Sequence, residues 1–171
     1  MGYVEVELLN KRNEPRLVKM NDEDCYDVYI WKDCKTKPSY WFKLKIGVMH
    51  KYNCIHINNK HYLLHRVNYY IHNPEWDIYD NSKNNEIDHI DRNPSNNHIS
   101  NLRIATHSQN GQNTDGKGYT YHKQHNKYMA RIYINGKPKH LGYYDTKEEA
   151  REIYLKNKKI HHSYYIDKNN N

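Results

Sequence analysis

The sequence predicts an α+β protein in which short strands dominate and helices are few. Three observations carry this expectation. Tyr3–Leu9 and Tyr40–Val48 alternate apolar and polar side chains at the period-two spacing of a half-buried strand. Turn-forming clusters recur between such runs, among them Asn58-Asn59-Lys60 and Asn135-Gly136. The clearest helical stretch follows Thr146-Lys-Glu-Glu149, a capping box, with Ala150, Ile153, Tyr154 and Ile160 marking one face.

Taken in order, Tyr3–Leu9 and Tyr26–Trp31 read as strands, with breaks at Lys11–Pro15 and Asp33–Pro38. Tyr40–Val48 reads as one further strand. Cys54–Ile57 and His61–Leu64 then flank Asn58-Asn59-Lys60 as a hairpin, and His65–His72 forms a short helix that stops before Asn73-Pro74. Residues 77–114 differ: large apolar side chains are few and Asp, His and Asn are dense. Glu86–Asp91 and Leu102–Thr106 are short strands joined by the polar loop Arg92–Asn101, and Thr106 or Ser108 caps a short helix through Asn113. So little apolar area makes the order of this segment depend on neighbouring strands or a bound ion. Gly118–Lys123, Lys127–Ile134 and Lys137–Tyr144 form three antiparallel strands, turning at His125-Asn126 and Asn135-Gly136, with one helix packed across them. The expected divisions are a β-rich segment (1–50), a polar core (51–114), a sheet-and-helix module (115–167) and a polar tail (168–171).

Charge is unevenly placed along the 171 residues. The net charge is +7; residues 1–114 carry 15 basic and 14 acidic side chains, residues 115–171 carry 12 and 6. A basic module on a neutral body points to a polyanionic partner, nucleic acid ahead of membrane. No apolar run approaches the roughly 20 residues of a membrane span, and the N-terminus lacks a signal peptide's apolar core, so an intracellular protein is expected, with no obligate protein partner evident. Cys25, Cys34 and Cys54 are odd in number and never CxxC, which argues for reduced thiols over a disulfide framework or a zinc knuckle.

The chemistry-bearing segment is Ile87-Asp88-His89-Ile90-Asp91-Arg92-Asn93, followed by Asn101-Leu102-Arg103 and Gln109-Asn110. Asp-His, then Asn-Leu-Arg twelve residues after the His, then Asn twenty-one after it, resembles the HNH nuclease family in its homing-type subgroup. The third letter of the motif is Asn110, not His. Residues 54–113 take part, counting His65-Arg66 upstream. Hydrolysis of a phosphodiester needs an activated water, a stabilised pentacovalent phosphate and a neutralised leaving oxygen. His89 is the candidate general base, since imidazole takes a proton near neutral pH. Asp88 and the Asn110 side-chain oxygen are hard ligands for one Mg²⁺ or another divalent ion, which the resemblance places between the scissile phosphate and the 3′ oxygen. Asn101 orients the His89 ring or braces the loop; Asn97 and Arg92 are weaker candidates, for loop shape and phosphate contact. Asp91, His98 and His107 stand between spectator and support, and His65-Arg66 is structural or phosphate-contacting rather than catalytic. Neighbouring side chains on a strand point to opposite faces, so Asp88 and His89 share a substrate only if the strand ends or distorts there. The ββα-metal fold that the resemblance implies allows this. Taken singly, an Asp-His pair or an Asn at a turn is unremarkable.

Lys117-Gly118-Tyr119, Tyr128-Met-Ala-Arg-Ile, His140-Leu141-Gly142-Tyr143-Tyr144-Asp145-Thr146 and Glu148-Glu149-Ala150 resemble the plant ethylene-responsive-factor (Apetala-2) DNA-binding domain. That resemblance implies a three-stranded sheet lying in the major groove of double-stranded DNA. Alternation puts Tyr119, Tyr121, Ala130, Ile132, Ile134 and Leu141 under the helix and Thr120, His122, Met129, Arg131, Tyr133 and His140 on the other face. Arg131 suits guanine, whereas Lys117, Lys123, Lys127, Lys137 and Lys139 suit phosphate. Positions that are Arg or Trp in the plant pattern are Thr120, His122 and His140, so no base preference carries over. The combined expectation is a metal-dependent endonuclease placed by a C-terminal DNA-binding sheet. Its rivals are a DNA-binding regulator with a decayed site and an RNA-binding protein whose tyrosines stack bases.

Overall fold

The computed structural model describes residues 2–167; the predicted polar tail, 168–171, lies outside the described residues. The chain is mixed α and β, mostly strand, and every strand pairing assigned is antiparallel. It divides into two compact units: residues up to Ser82 with Ile87–Ile104, and Lys83–Glu86 with the residues from Ala105 onward.

The first unit begins with an antiparallel meander of β1 (Tyr3–Leu9), β2 (Pro15–Asn21), β3 (Val28–Lys32) and β4 (Tyr40–Lys43). Strand β2 is not expected from the sequence, in which Pro15 reads as the end of a break. Proline is tolerated at the first position of a strand, and Val18 and Met20, both 0% exposed, then point into the core. The expected strand Tyr40–Val48 is two strands in two sheets. It divides at Leu44–Ile46, where Leu44 and Ile46 pack against the core, and β5 (Gly47–Met49) joins β6 (Tyr52–Ile57) and β7 (Lys60–Leu63) in a second sheet. Period two says which side chains face inward, not which sheet a strand joins.

Asn58 and Asn59 both have positive φ, 43° and 68°, which makes a tight two-residue turn between β6 and β7. Helix α1 (Leu64–His72) follows at once and buries Leu64, His65, Val67, Asn68 and Ile71. Leu8, Val18 and Ile30 of the meander belong to one cluster with Ile55, Ile57, Leu64 and Val67. The two sheets, which divide at Leu44–Ile46, therefore share one core. Strands β8 (Glu86–His89) and β9 (Leu102–Ala105) form a two-stranded sheet, and Ile87 and Leu102 join the same core.

In the second unit α2 (His107–Gln112) is closed by a capping box: the Thr106 hydroxyl accepts from the Gln109 N–H and the Gln109 side chain accepts from the Thr106 N–H. Strands β10 (Tyr119–His122), β11 (Lys127–Ile134) and β12 (Lys137–Tyr144) form a sheet in that order, and α3 (Lys147–His161) packs across it behind the Thr146/Glu149 box. Gly118 has φ +76°, and a Cβ there would lie 2.0 Å from the Tyr154 ring, so only glycine lets α3 close on the sheet. The buried face of α3 is Ala150, Tyr154 and Lys158 rather than the expected run to Ile160, which is 74% exposed. Lys158, at 1% exposure, takes the place predicted for an apolar residue because its Nζ donates to the Thr114 carbonyl at 2.5 Å. Tyr121, expected beneath the helix, is 51% exposed and lies against Tyr128. No helix among the described residues is long and apolar enough to cross a membrane.

Candidate functional site

Strand β8 ends at His89, and the chain reverses through Arg92 at φ +65°. Asp88 and His89 are the last two residues of the strand, and both are buried, at 4% and 7% exposure. Asp88 is held by Arg103, whose Nε and one terminal nitrogen reach its Oδ2 at 2.9 and 2.8 Å. The His89 ring is held by Asn97, with Nε2 3.0 Å from the amide oxygen. Asn97 is 0% exposed, and its nitrogen donates to Asn53 Oδ1 and Tyr26 Oη, each at 3.1 Å. Because an amide oxygen only accepts, this network assigns the His89 proton to Nε2 and makes Nδ1 the basic nitrogen.

Asn101 does a different job. Its Oδ1 accepts from the Asp91 N–H at 3.0 Å, and its nitrogen donates to Asp91 Oδ1 at 3.0 Å and to the Asn96 carbonyl at 2.7 Å. The amide thereby ties together both ends of the loop from 90 to 101. Partial burial pushes the Asp91 carboxyl up, but the hydrogen bonds it accepts from Asn96, the Asn93 N–H and Asn101 outweigh this and hold it below the usual range. Of the two roles considered for Asn101, loop bracing is the one its contacts describe, and Asn97 is the residue against the His89 ring.

Behind His89 stands His65 from α1, with ring centroids 4.9 Å apart, and Tyr52 lies 5.1 Å from His65. His65 is 5% exposed and its Nδ1 is a buried atom without a hydrogen-bond partner. Burial first, then the positive charge of His89 when protonated and of Arg66, push the His65 pKa down to about 3. His65 is thus a neutral aromatic wall for His89. Arg66 donates to the carbonyls of Ile78 and Asp80, both at 2.9 Å, and stacks on Trp76. These contacts make it a brace for the loop after α1.

Asn110 lies on α2 in the second unit. Its nitrogen donates to Glu86 Oε2 at 2.7 Å, and His107 Nδ1 lies 2.7 Å from the other Glu86 oxygen. A carboxylate can only accept, so the amide nitrogen faces Glu86 and the amide oxygen faces away, in the sense a cation ligand requires. Residues 62–112 match the model of the HNH endonuclease family. The HNH match takes in α1, β8, β9 and α2 and leaves out the meander and the basic C-terminal sheet. It points to a nuclease, a phosphodiester hydrolase acting on DNA. No curated protein and no solved structure matches the chain.

Beyond the HNH stretch, the C-terminal sheet presents an open face. Strand pairing puts Thr120, His122, Lys127, Met129, Arg131, Tyr133, His140 and Tyr143 on the side away from α3. Thr120, Arg131, Tyr133 and His140 are exposed; His122 and Lys127 are half-buried. Lys127 pairs with Asp145 at 3.1 Å, which offsets its charge. Lys117, Lys123, Lys137 and Lys139 are exposed, but Lys137 and Lys139 pair with Ile134 and Ile132 and so lie on the helix side of the edge strand. Sequence reasoning missed Tyr143, around which the rings of His122, His125 and His140 gather at 4.6–5.4 Å. It also missed the Arg103 clamp and the Glu86 anchor. Arg103 was visible inside Asn-Leu-Arg, but its partner Asp88 stands 15 residues earlier; the cluster around Tyr143 depends on the register break between Ala130 and Arg131.

Proposed function

We propose that the protein is a metal-dependent DNA endonuclease of the HNH type, targeted by its C-terminal sheet. The observation that carries this reading is the Asp88-His89 pair at the end of β8, with the His89 ring fixed by a fully buried Asn97, inside the segment that matches the HNH family. His89 Nδ1 takes the proton of the attacking water. Asn97 keeps the ring in the tautomer that leaves Nδ1 basic, and His65 and Tyr52 fix its plane. Asp88 and Asn110, the residues that the HNH resemblance assigns to a cation, each carry a hard oxygen donor of the kind that Mg²⁺ or a similar divalent ion accepts. The chemistry such an ion supplies is neutralisation of charge on the phosphate and the departing 3′ oxygen. Asn101 holds the loop between the two strands, completing the catalytic assignment. β8, β9 and α2 follow one another in the chain order of a ββα-metal nuclease core.

The C-terminal sheet supplies affinity. Its +6 share of the charge, and an outer face carrying Thr120, Arg131, Tyr133 and His140, fit a β-sheet reader of the major groove like the ethylene-responsive-factor domain. Separating cutting from reading is the organisation of homing-type nucleases of mobile elements, the role we infer.

One observation favours the rival reading, a DNA-binding regulator with a decayed site: both Arg103 nitrogens reach the Asp88 oxygen a cation would share. Supercoiled plasmid incubated with the protein and Mg²⁺ or Mn²⁺, then with EDTA, separates the two. Relaxed or linear product that disappears in EDTA supports the nuclease; shifted but uncut plasmid in both metals overturns it in favour of the regulator.

A further inference from the structure

The β6–β7 hairpin carries a cluster that the nuclease reading does not use. His56 and His61 are direct cross-strand partners, one pair in from the turn, a non-hydrogen-bonded position where side chains approach most closely. Their ring centroids are 3.7 Å apart. Cys54 lies two residues before His56 and so on the same face of β6. One donor atom from each of Cys54, His56 and His61 lies within 4.8 Å of the others. The histidines are exposed, whereas Cys54 is 1% exposed, so the sulfur forms the floor of the cluster and the rings its rim. Opposite Cys54 stands Gly47, where an added Cβ would come 3.4 Å from Sγ. The glycine keeps the sulfur uncrowded.

We propose that Cys54 Sγ and one ring nitrogen each of His56 and His61 form a binding site for a transition-metal ion, with Zn²⁺ as the best chemical match. The donor set decides the class. One thiolate and two imidazoles suit a borderline-soft ion in tetrahedral geometry, whereas Mg²⁺ and Ca²⁺ require oxygen. Ligands at about 2.0–2.3 Å from a tetrahedral ion sit roughly 3.3–3.8 Å apart, so donors already within 4.8 Å close by rotation about the histidine side-chain bonds, with the backbone unmoved. Three protein ligands leave the fourth position to water. The bound ion pins β6 to β7 three residues before the start of α1, the helix that brings His65 and Asn68 into the core. Binding requires the thiolate, so it releases a proton and weakens in acid.

The site is tested without reference to cleavage, so its failure and that of the nuclease reading are distinguishable. Metal-free, reduced full-length protein is titrated with Co²⁺ and followed by absorption. The expected result is one equivalent giving the visible bands of tetrahedral cobalt together with a near-ultraviolet thiolate-to-cobalt band, both bleached by Zn²⁺. Cys54→Ser loses the thiolate band. The doubly substituted His56→Ala/His61→Ala chain, altered only at exposed positions, loses both sets of bands, and Zn²⁺ no longer raises its melting temperature as it does in the wild type. Cys34→Ser leaves the titration unchanged. Absence of the thiolate band in the wild type, or its survival in the doubly substituted chain, overturns the proposal.

Discussion

The segment from Asp88 to Asn101 and the outer face of the C-terminal sheet are both polar, and they treat polarity in opposite ways. In the first, Asp88, His89, Asn97 and Asn101 are all under 9% exposed, and their side chains are held by Arg103, by Asn97, by Asn53 and Tyr26, and by Asp91 and Asn96. In the second, Thr120, Arg131, Tyr133 and His140 face solvent. Burying a polar group costs free energy unless its bonds are replaced, so the first region is a geometry fixed in advance of any ligand. Exposed side chains pay their ordering cost only on contact, which suits a surface that must adapt to a groove. On the proposed reading, the first region serves chemistry and the second binding.

Substitutions that separate stability from affinity sharpen this contrast. The largest effect is expected at Asn97. Asn97→Ala removes the amide that His89, Asn53 and Tyr26 share, and should destabilise the fold by about 3 kcal/mol in urea unfolding. A change below about 0.5 kcal/mol would mean the network is not prearranged.

Acid acts on the same region. Burial depresses His65 to about 3 in the folded protein, while in the unfolded chain it titrates near 6.5. Between those values the unfolded state binds the extra proton, so stability falls as pH drops from about 6.5 towards 3, by up to ~1.4 kcal/mol per pH unit. His65→Phe should remove that share of the slope, read as the difference between wild-type and variant unfolding curves from pH 7 to 5. Parallel curves would show that His65 is not held neutral.

On the exposed face the order reverses: affinity moves and stability does not. Arg131→Ala should cost roughly 1–3 kcal/mol at a preferred DNA site and relax discrimination at one base pair, with the melting temperature unchanged. Lys123→Ala, in the turn after β10, gives the smallest effect, shallowing the slope of log affinity against log salt by about 0.9. A shift in unfolding of the same size as the loss in binding, for either variant, would erase the contrast between the two regions.

Much of this was legible in the sequence because it is local. The Asn135-Gly136 turn, the Thr146/Glu149 cap, Thr106 as one of two caps offered for α2, and the strand β11 follow from neighbours a few residues apart. The motif residues were legible because their spacing is a pattern. What escaped was set by partners distant in the chain. Whether Tyr40–Val48 is one strand or two depends on which sheets it meets. Lys158 is buried because the Thr114 carbonyl, 44 residues earlier, waits for it. Asn97 was undervalued because its partners, Tyr26 and Asn53, come from the meander and the hairpin. Cys54 was judged by spacing to other cysteines, whereas its neighbours on the sheet are histidines.

The central claim, that the buried segment cuts and the exposed sheet binds, is tested most directly by His89→Ala. Single-turnover cleavage of plasmid and equilibrium DNA affinity are measured on the same preparation. The account predicts a loss of ~10²–10⁴ in cleavage rate with affinity within about twofold of wild type. Cleavage at the wild-type rate, or a collapse of affinity in step with it, would contradict the account.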